Sequence, residues 1–274
     1  MANFIVSNVL LLAGIALFAS VALCFLLKKF AVVEDPKIDD VDAVMPGVNC
    51  GACGSAGCRD FAMACVKANQ EEFYELFCPV GGMEVMKKAS ELLGLKVAEK
   101  EVTIAVLHCN GTCENAPDKV VFSGLSNCRL AARISVGKSG CPQGCLRFGD
   151  CVSVCKFDAL SVSSEGIPVV DEEKCTSCGK CVKICPRKLF EIRPRGTKGK
   201  RVYVACSNKQ KGTMARKNCK AACIACLKCA KVCSDVKVID NLSNIPASID
   251  ALKFGEELAK CCPTKAIIYT GLKK

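Results

Sequence analysis

The stretch CTSCGKCVKICP at residues 175–186 sets three cysteines, Cys175, Cys178 and Cys181, at two-residue intervals, with a fourth, Cys185, after three more residues and Pro186 behind it. Thiols this close are poor disulfide partners for one another and convenient ligands for one centre. A single zinc ion does not call for three thiols in one tight loop plus a fourth aimed elsewhere. A four-iron cubane does: it needs four soft thiolates in tetrahedral array, and a loop supplies three of them from one side.

The spacing C-x2-C-x2-C-x3-C-P is that of bacterial ferredoxins, in which the fourth cysteine ligates the neighbouring cluster. Four stretches of this chain share the form of a cysteine, a few residues and a β-like run: CKFDALSV from Cys155, CPRKLFEI from Cys185, CSDVKVID from Cys233 and CPTKAIIY from Cys262. Ten, seven and four residues before Cys185 stand Cys175, Cys178 and Cys181, and before Cys233 stand Cys223, Cys226 and Cys229. Before Cys155 stand Cys145, Phe148 and Cys151; before Cys262 stand Leu252, Gly255 and Leu258. These are four copies of one half-unit: two intact, one altered and one stripped.

Crossing the ligands gives one cluster on Cys175, Cys178, Cys181 and Cys155. A second uses Cys145, Cys151 and Cys185, one thiol short because of Phe148, with Cys141 as the nearest replacement. A third uses Cys223, Cys226, Cys229 and Cys262, where Pro263 favours Cys262 over Cys261. Cys233 is left as an orphan or is recruited elsewhere. Cys109, Cys113 and Cys128 form a further group with no obvious fourth member. VLHC ending at Cys109 and VYVAC ending at Cys206 look related, and both precede a lone cysteine (Cys141, Cys219) four residues ahead of a half-unit. His108, the sole histidine, reads as a neutral structural residue rather than a ligand.

An earlier motif is of another kind. NCGACGSAGC carries Cys50, Cys53 and Cys58, and Cys78 follows in CPVGG. Its glycines permit the tight backbone that lets amides approach sulfur. The four thiols are a complete set, with Cys65 as an alternative fourth ligand. Cys65 lies in an apolar, helix-like run and reads more simply as a small buried hydrophobe.

Twenty-five cysteines in 274 residues is far above ordinary usage, and an odd number cannot pair completely. Metal-bound thiolates in a reducing compartment fit better than a disulfide scaffold. The formal charge of +11 counts those thiols as neutral. A four-iron cluster with its thiolates carries about −2, so four would offset roughly eight positive charges. With no Trp, three Tyr and no aromatic-rich basic stretch, nucleic-acid binding is not expected.

From Phe4 to Leu27 twenty-four residues carry no charge. That suffices for a spanning helix, and neither a basic start nor a small-residue cleavage site marks a signal peptide. Lys28 and Lys29 follow at once, which puts the C-terminal body on the cytoplasmic side of a bacterial inner membrane crossed once. The expected fold is α+β: a transmembrane anchor (1–29), an acidic tether (30–45), a small four-cysteine iron–sulfur module (46–95), a cysteine-containing middle segment (96–139) and tandem bacterial-ferredoxin-like domains (140–196 and a partly degenerate 197–274).

The order of these parts resembles the B subunit of the Rnf complex, an ion-translocating ferredoxin:NAD oxidoreductase. The similarity covers nearly the whole chain: an uncharged N-terminal helix, C-x2-C-G-x3-C with a later C-P-x-G-G, then ferredoxin half-units. The resemblance implies that Cys50, Cys53, Cys58 and Cys78 hold the first cluster and that residues 141–185 hold two more. It implies [4Fe-4S] clusters, at least three and, with the second pair, four or more. It further implies integral-membrane and flavin- or iron–sulfur-bearing partner subunits, soluble ferredoxin as electron partner, and electron flow to NAD coupled to movement of sodium ions or protons. The chain departs from the family pattern at Phe148, at Lys156, in the stripped half-unit and in the long gap from Cys58 to Cys78. No nucleophile, triad or nucleotide loop stands out, so this chain carries clusters and has no substrate-converting site of its own. The rival reading is a membrane-tethered iron–sulfur scaffold or redox sensor, which requires labile, exposed clusters. The N-terminal motif also resembles that of the corrinoid iron–sulfur protein of acetyl-CoA synthesis, but no long cobalamin-binding domain follows.

Overall fold

The computed structural model describes residues 2–29, 35–99, 101–121, 127–134 and 137–270. Helix α1 (Ala2–Lys29) ends on two lysines, and within it Ser7–Leu26 is apolar and long enough to cross a bilayer, with none of that window buried against the protein.

The next helices build one small core. They are α2 (Lys37–Val44), α3 (Cys58–Lys67), α4 (Gln70–Glu75) and α5 (Gly82–Leu93). Asn69 and Glu72 close a reciprocal capping box on α4, and Gly94, in left-handed conformation at φ 69°, ends α5. Val41, Phe61, Phe73, Met86 and Ala89 are fully buried together. The acidic stretch read as a tether is therefore, from Lys37 onward, part of this module. Ile38 and Val41 turn into the core while Asp39 bonds Arg59 at 2.8 Å on the surface. Its acidic face hid an i, i+3 apolar pair. Residues 30–34, the rest of that stretch, lie outside the described residues.

The remainder is two copies of one unit. The first runs through β1 (Thr103–Leu107), α6 (Cys128–Ile134), α7 (Asp150–Ser153), β2 (Leu160–Val162), β3 (Pro168–Val170), α8 (Lys180–Ile184) and β4 (Phe190–Pro194). The second runs through β5 (Val202–Val204), α9 (Gly212–Asn218), α10 (Lys228–Val232), β6 (Lys237–Ile239), β7 (Leu242–Asn244), α11 (Ala251–Cys261) and β8 (Ile267–Tyr269). In each, the first strand pairs antiparallel with the last and the two middle strands form a hairpin: β1 with β4, β2 with β3, β5 with β8, β6 with β7. The strand in the expected middle segment thus completes the first ferredoxin-like unit, with Thr103 opposite Pro194 and Leu107 opposite Phe190. Buried Ile104 and Val106 of β1 pack with Tyr203 and Ala205, at and just past β5, which joins the two units.

The stripped half-unit has a physical replacement. Where its sister carries a cysteine loop, the second unit has α11, capped by Asp250, whose carboxylate accepts from the amides of Leu252 and Lys253. Leu258 is wholly buried, and a Cβ at Gly255 would stand 2.5 Å from the Tyr269 ring. Hydrocarbon fills the space a second cluster would need, and Cys233 packs into this same core.

Candidate iron–sulfur sites

Three cysteine loops repeat one backbone conformation. Residues two and four positions after the first cysteine are left-handed in each: Arg147 and Gly149, Ser177 and Gly179, Ala225 and Leu227. The third residue after the last cysteine is left-handed in Asp158, Lys188 and Lys265, but not at Val236 after Cys233. Seven of the eleven described non-glycine residues with positive φ lie in these turns. Each such residue costs about 1 kcal/mol or more, which persists where surroundings over-determine it. Here the conformation sets several thiols around one pocket.

Cys155, Cys175, Cys178 and Cys181 line one pocket. Cys223, Cys226, Cys229 and Cys262 line another. At the second, the Ser243 amide donates to Cys223 Sγ at 3.4 Å and Ser243 Oγ lies 3.2 Å from Cys229 Sγ. Cys261 Sγ turns away toward the carbonyl of Leu258 at 3.2 Å, leaving Cys262 to face the cavity.

Cys145, Cys151 and Cys185 lie together in the first unit, and the thiol that joins them is Cys128. Burial, followed by the charges of Cys128 and Cys185, pushes the Cys151 thiol up to about 12. The Cys128 amide donates to Asp150 Oδ1 at 2.9 Å, and the backbone of Phe148 reaches its sulfur. Cys128, at the start of α6, thus stands beside the loop at Phe148. Cys141 lines a pocket at the junction of the two units, which Cys145 also lines. Sequence adjacency favours Cys141, and the chain also brings Cys128 to this loop at the start of α6, which no spacing rule reveals.

In the N-terminal module Asn49 is left-handed at φ 47°, and its side-chain oxygen accepts from the Cys58 amide at 2.7 Å, closing the loop that carries Cys50 and Cys53. Cys78 arrives from the far side and receives the Gly81 amide at 3.3 Å. Its thiol is pushed up by burial, with Cys53 and Cys50 adding in the same direction. Cys65 lies deeper, beside Cys53 and Cys78, and is completely buried among core side chains; burial first, then those neighbours, raise it to about 12.

His108 is bound at both ring nitrogens, to the carbonyl of Val204 at 2.8 Å and to Glu191 at 2.6 Å, which is a structural role. Four thiolates on one zinc ion at about 2.3 Å would stand roughly 3.8 Å apart. Among the described residues, no three His, Cys, Asp or Glu side chains converge on a point in that way. Sulfurs set around one pocket, with amides aimed at them, fit an iron–sulfur core.

Loop conformation, cavities and strand pairing define an iron–sulfur protein of the bacterial ferredoxin kind with an apolar N-terminal helix. Family models agree: one described as "Putative Fe-S cluster" matches residues 45–72, and one described as "4Fe-4S binding domain" matches 167–190. The chain is 35% identical over 274 residues to the B subunit of the ion-translocating oxidoreductase complex of Methanosarcina acetivorans, covering 97% of this chain and 99% of that one. It is 34% identical to the B subunit of the proton-translocating ferredoxin:NAD(+) oxidoreductase complex of Clostridium ljungdahlii, over 97% and 92% of the two chains. To the B subunit of the Na(+)-translocating ferredoxin:NAD(+) oxidoreductase complex of Acetobacterium woodii it is 39% identical over 81% of its own length, and there it spans only 65% of the relative. The chain belongs to the family of B subunits of the ion-translocating oxidoreductase, or Rnf, complexes.

Proposed function

We propose that this chain is the iron–sulfur electron carrier of a membrane-bound complex that couples electron flow between ferredoxin and NAD to ion translocation. The observation that carries the reading is the cavity walled by Cys155, Cys175, Cys178 and Cys181, which has the ligand spacing and the crossed fourth thiol of a [4Fe-4S] site. We assign four sets of ligands: Cys50, Cys53, Cys58 and Cys78; Cys128, Cys145, Cys151 and Cys185; Cys155, Cys175, Cys178 and Cys181; and Cys223, Cys226, Cys229 and Cys262.

A bound cluster supplies one-electron storage and transfer. The protein contributes the rest. Cys78, Cys151, Cys181, Cys223 and Cys229 are each less than a tenth exposed, which keeps water from the sulfurs. Amides of Gly81, Leu189 and Ser243 donate to Cys78, Cys185 and Cys223 at 3.3–3.4 Å and so favour the more negative, reduced state. Burial of this kind suits a wire and not a scaffold that gives up its iron. The uncharged helix Ser7–Leu26 offers packing surface to integral-membrane subunits and no charge to conduct an ion itself. Lys28 and Lys29 support a single pass with the body on the cytoplasmic side.

The test uses membranes containing the whole complex, in which Cys178 is changed to Ser. Ferredoxin-dependent NAD reduction and the ion gradient it builds are expected to fall together at least tenfold. Unchanged activity with normal incorporation of the variant chain would overturn the assignment.

A further inference from the structure

Four cysteines outside those sets come from four separate segments and meet between the two ferredoxin-like units. Cys109 and Cys141 belong to the first unit, Cys206 and Cys219 to the second. All four line one pocket, together with Cys145. The repeat explains the meeting. Cys109 follows β1 by two residues as Cys206 follows β5, and Cys141 precedes Cys145 by four as Cys219 precedes Cys223. Each unit therefore contributes one cysteine past its first strand and one ahead of its first loop.

The backbone is arranged the same way on both sides. The Cys145 amide donates to Cys109 Sγ at 3.4 Å, and the Cys223 amide donates to Cys206 Sγ at 3.4 Å. The Asn208 amide reaches Cys206 Sγ at 3.5 Å, and its side-chain nitrogen, 1% exposed as a residue, reaches Cys141 Sγ at 3.6 Å. The strand ends are tied across the junction: Asn110 N–H donates to the Ala205 carbonyl at 2.9 Å, and Ser207 Oγ donates to the His108 carbonyl at 2.9 Å. Positive charge flanks the cavity. Arg147, with a side chain 5% exposed, donates to the Gly111 and Thr112 carbonyls at 2.8 and 3.0 Å, and Arg187 donates to the Cys141 carbonyl at 3.2 Å. The Arg147 guanidinium also pairs with Asp118 at 2.8 Å.

We propose that Cys109, Cys141, Cys206 and Cys219 bind a fifth [4Fe-4S] cluster that joins the two ferredoxin-like units into one electron path. The inference rests on the proposed reading of the other sets as cluster ligands, because its two sides are bonded to ligands of those sets. Cys145 belongs to the set in the first unit and Cys223 to the set in the second, so one amide–sulfur bond separates the junction from each. An electron arriving from the first unit oxidises that donor by one and reduces the junction by one. Passage onward reverses the junction's change and reduces the second unit's centre by one, with no bond or proton moved.

The test takes the full-length chain, purified anaerobically in detergent, with Cys206 and Cys219 both changed to Ser. Relative to the unchanged protein, iron is expected to fall by about four per chain, with loss of one reduced-state EPR signal and retention of the others. Unchanged iron, or loss of a single zinc in place of iron, overturns the junction cluster. Failure of the parent reading looks different: the unchanged chain itself would lack iron. A second variant, Asn208→Leu, keeps every thiol and guards against loss of folding. It is expected to leave iron unchanged and move one signal alone to lower potential, since a hydrogen bond to sulfur is lost. If no signal moves, the junction site is refuted.

Discussion

The amide of Cys145 donates to Sγ of Cys109 at 3.4 Å, so a thiol that follows strand β1 is held by the first residue of a cysteine loop thirty-six positions later. Cys145 thus stands between the proposed set of the first unit and the junction, with Cys109 on one side and Cys151 and Cys128 on the other. Losses at one set should therefore be separable from losses at the other by changing thiols that belong to only one of them.

Cys128→Ser and Cys141→Ser are the variants that do so. Each is expected to disturb one cluster, and a different one. Reductive EPR titration checks this: Cys128→Ser should alter a signal that Cys141→Ser leaves intact, and the double variant should show both changes. Loss of the same signal in both single variants would place the two thiols on one centre.

Cys65→Ala should retain all iron. The side chain is fully buried beside Phe61 and Ala62, and its removal leaves a small cavity worth about 1–2 kcal/mol in the N-terminal module. Iron analysis with thermal unfolding measures both effects. A drop of about four irons would make Cys65 a ligand.

Gly255→Val should weaken the second unit. The new Cβ would meet the Tyr269 ring at 2.5 Å, and overpacking of this kind costs about 1–3 kcal/mol. Faster loss of iron from the second unit on mild heating is the expected readout, with the N-terminal centre unaffected.

His108→Ala should loosen the junction between the units without removing a ligand. It deletes the contacts to the Val204 carbonyl and to Glu191, whose carboxylate keeps its bond to Arg193, a cost of about 1–3 kcal/mol. Iron content measured at once after purification should be normal, and resistance to denaturant should fall.

Much of this architecture is readable from cysteine spacing. The repeated ten-seven-four intervals before Cys155, Cys185, Cys233 and Cys262 reveal the tandem units, because one loop conformation demands one spacing. What the spacing hides is assembled from separate segments. Cys128, at the start of α6, stands beside the loop at Phe148. Spacing does not group Cys109, Cys141, Cys206 and Cys219 with one another, since their common pocket exists only once the two units pack. Helix α2 was obscured by its acidic face, although Ile38 and Val41 carry the apolar pair that seats it. The stripped half-unit is legible as a loss of thiols, but not as the helix that fills the space.

The most direct test of the account is a joint count of iron, acid-labile sulfide and zinc in the chain purified anaerobically, followed by reductive EPR titration. Five [4Fe-4S] centres predict about twenty irons and twenty sulfides per chain, negligible zinc, and several signals appearing in sequence as the potential falls. Near-stoichiometric zinc with little iron would contradict it.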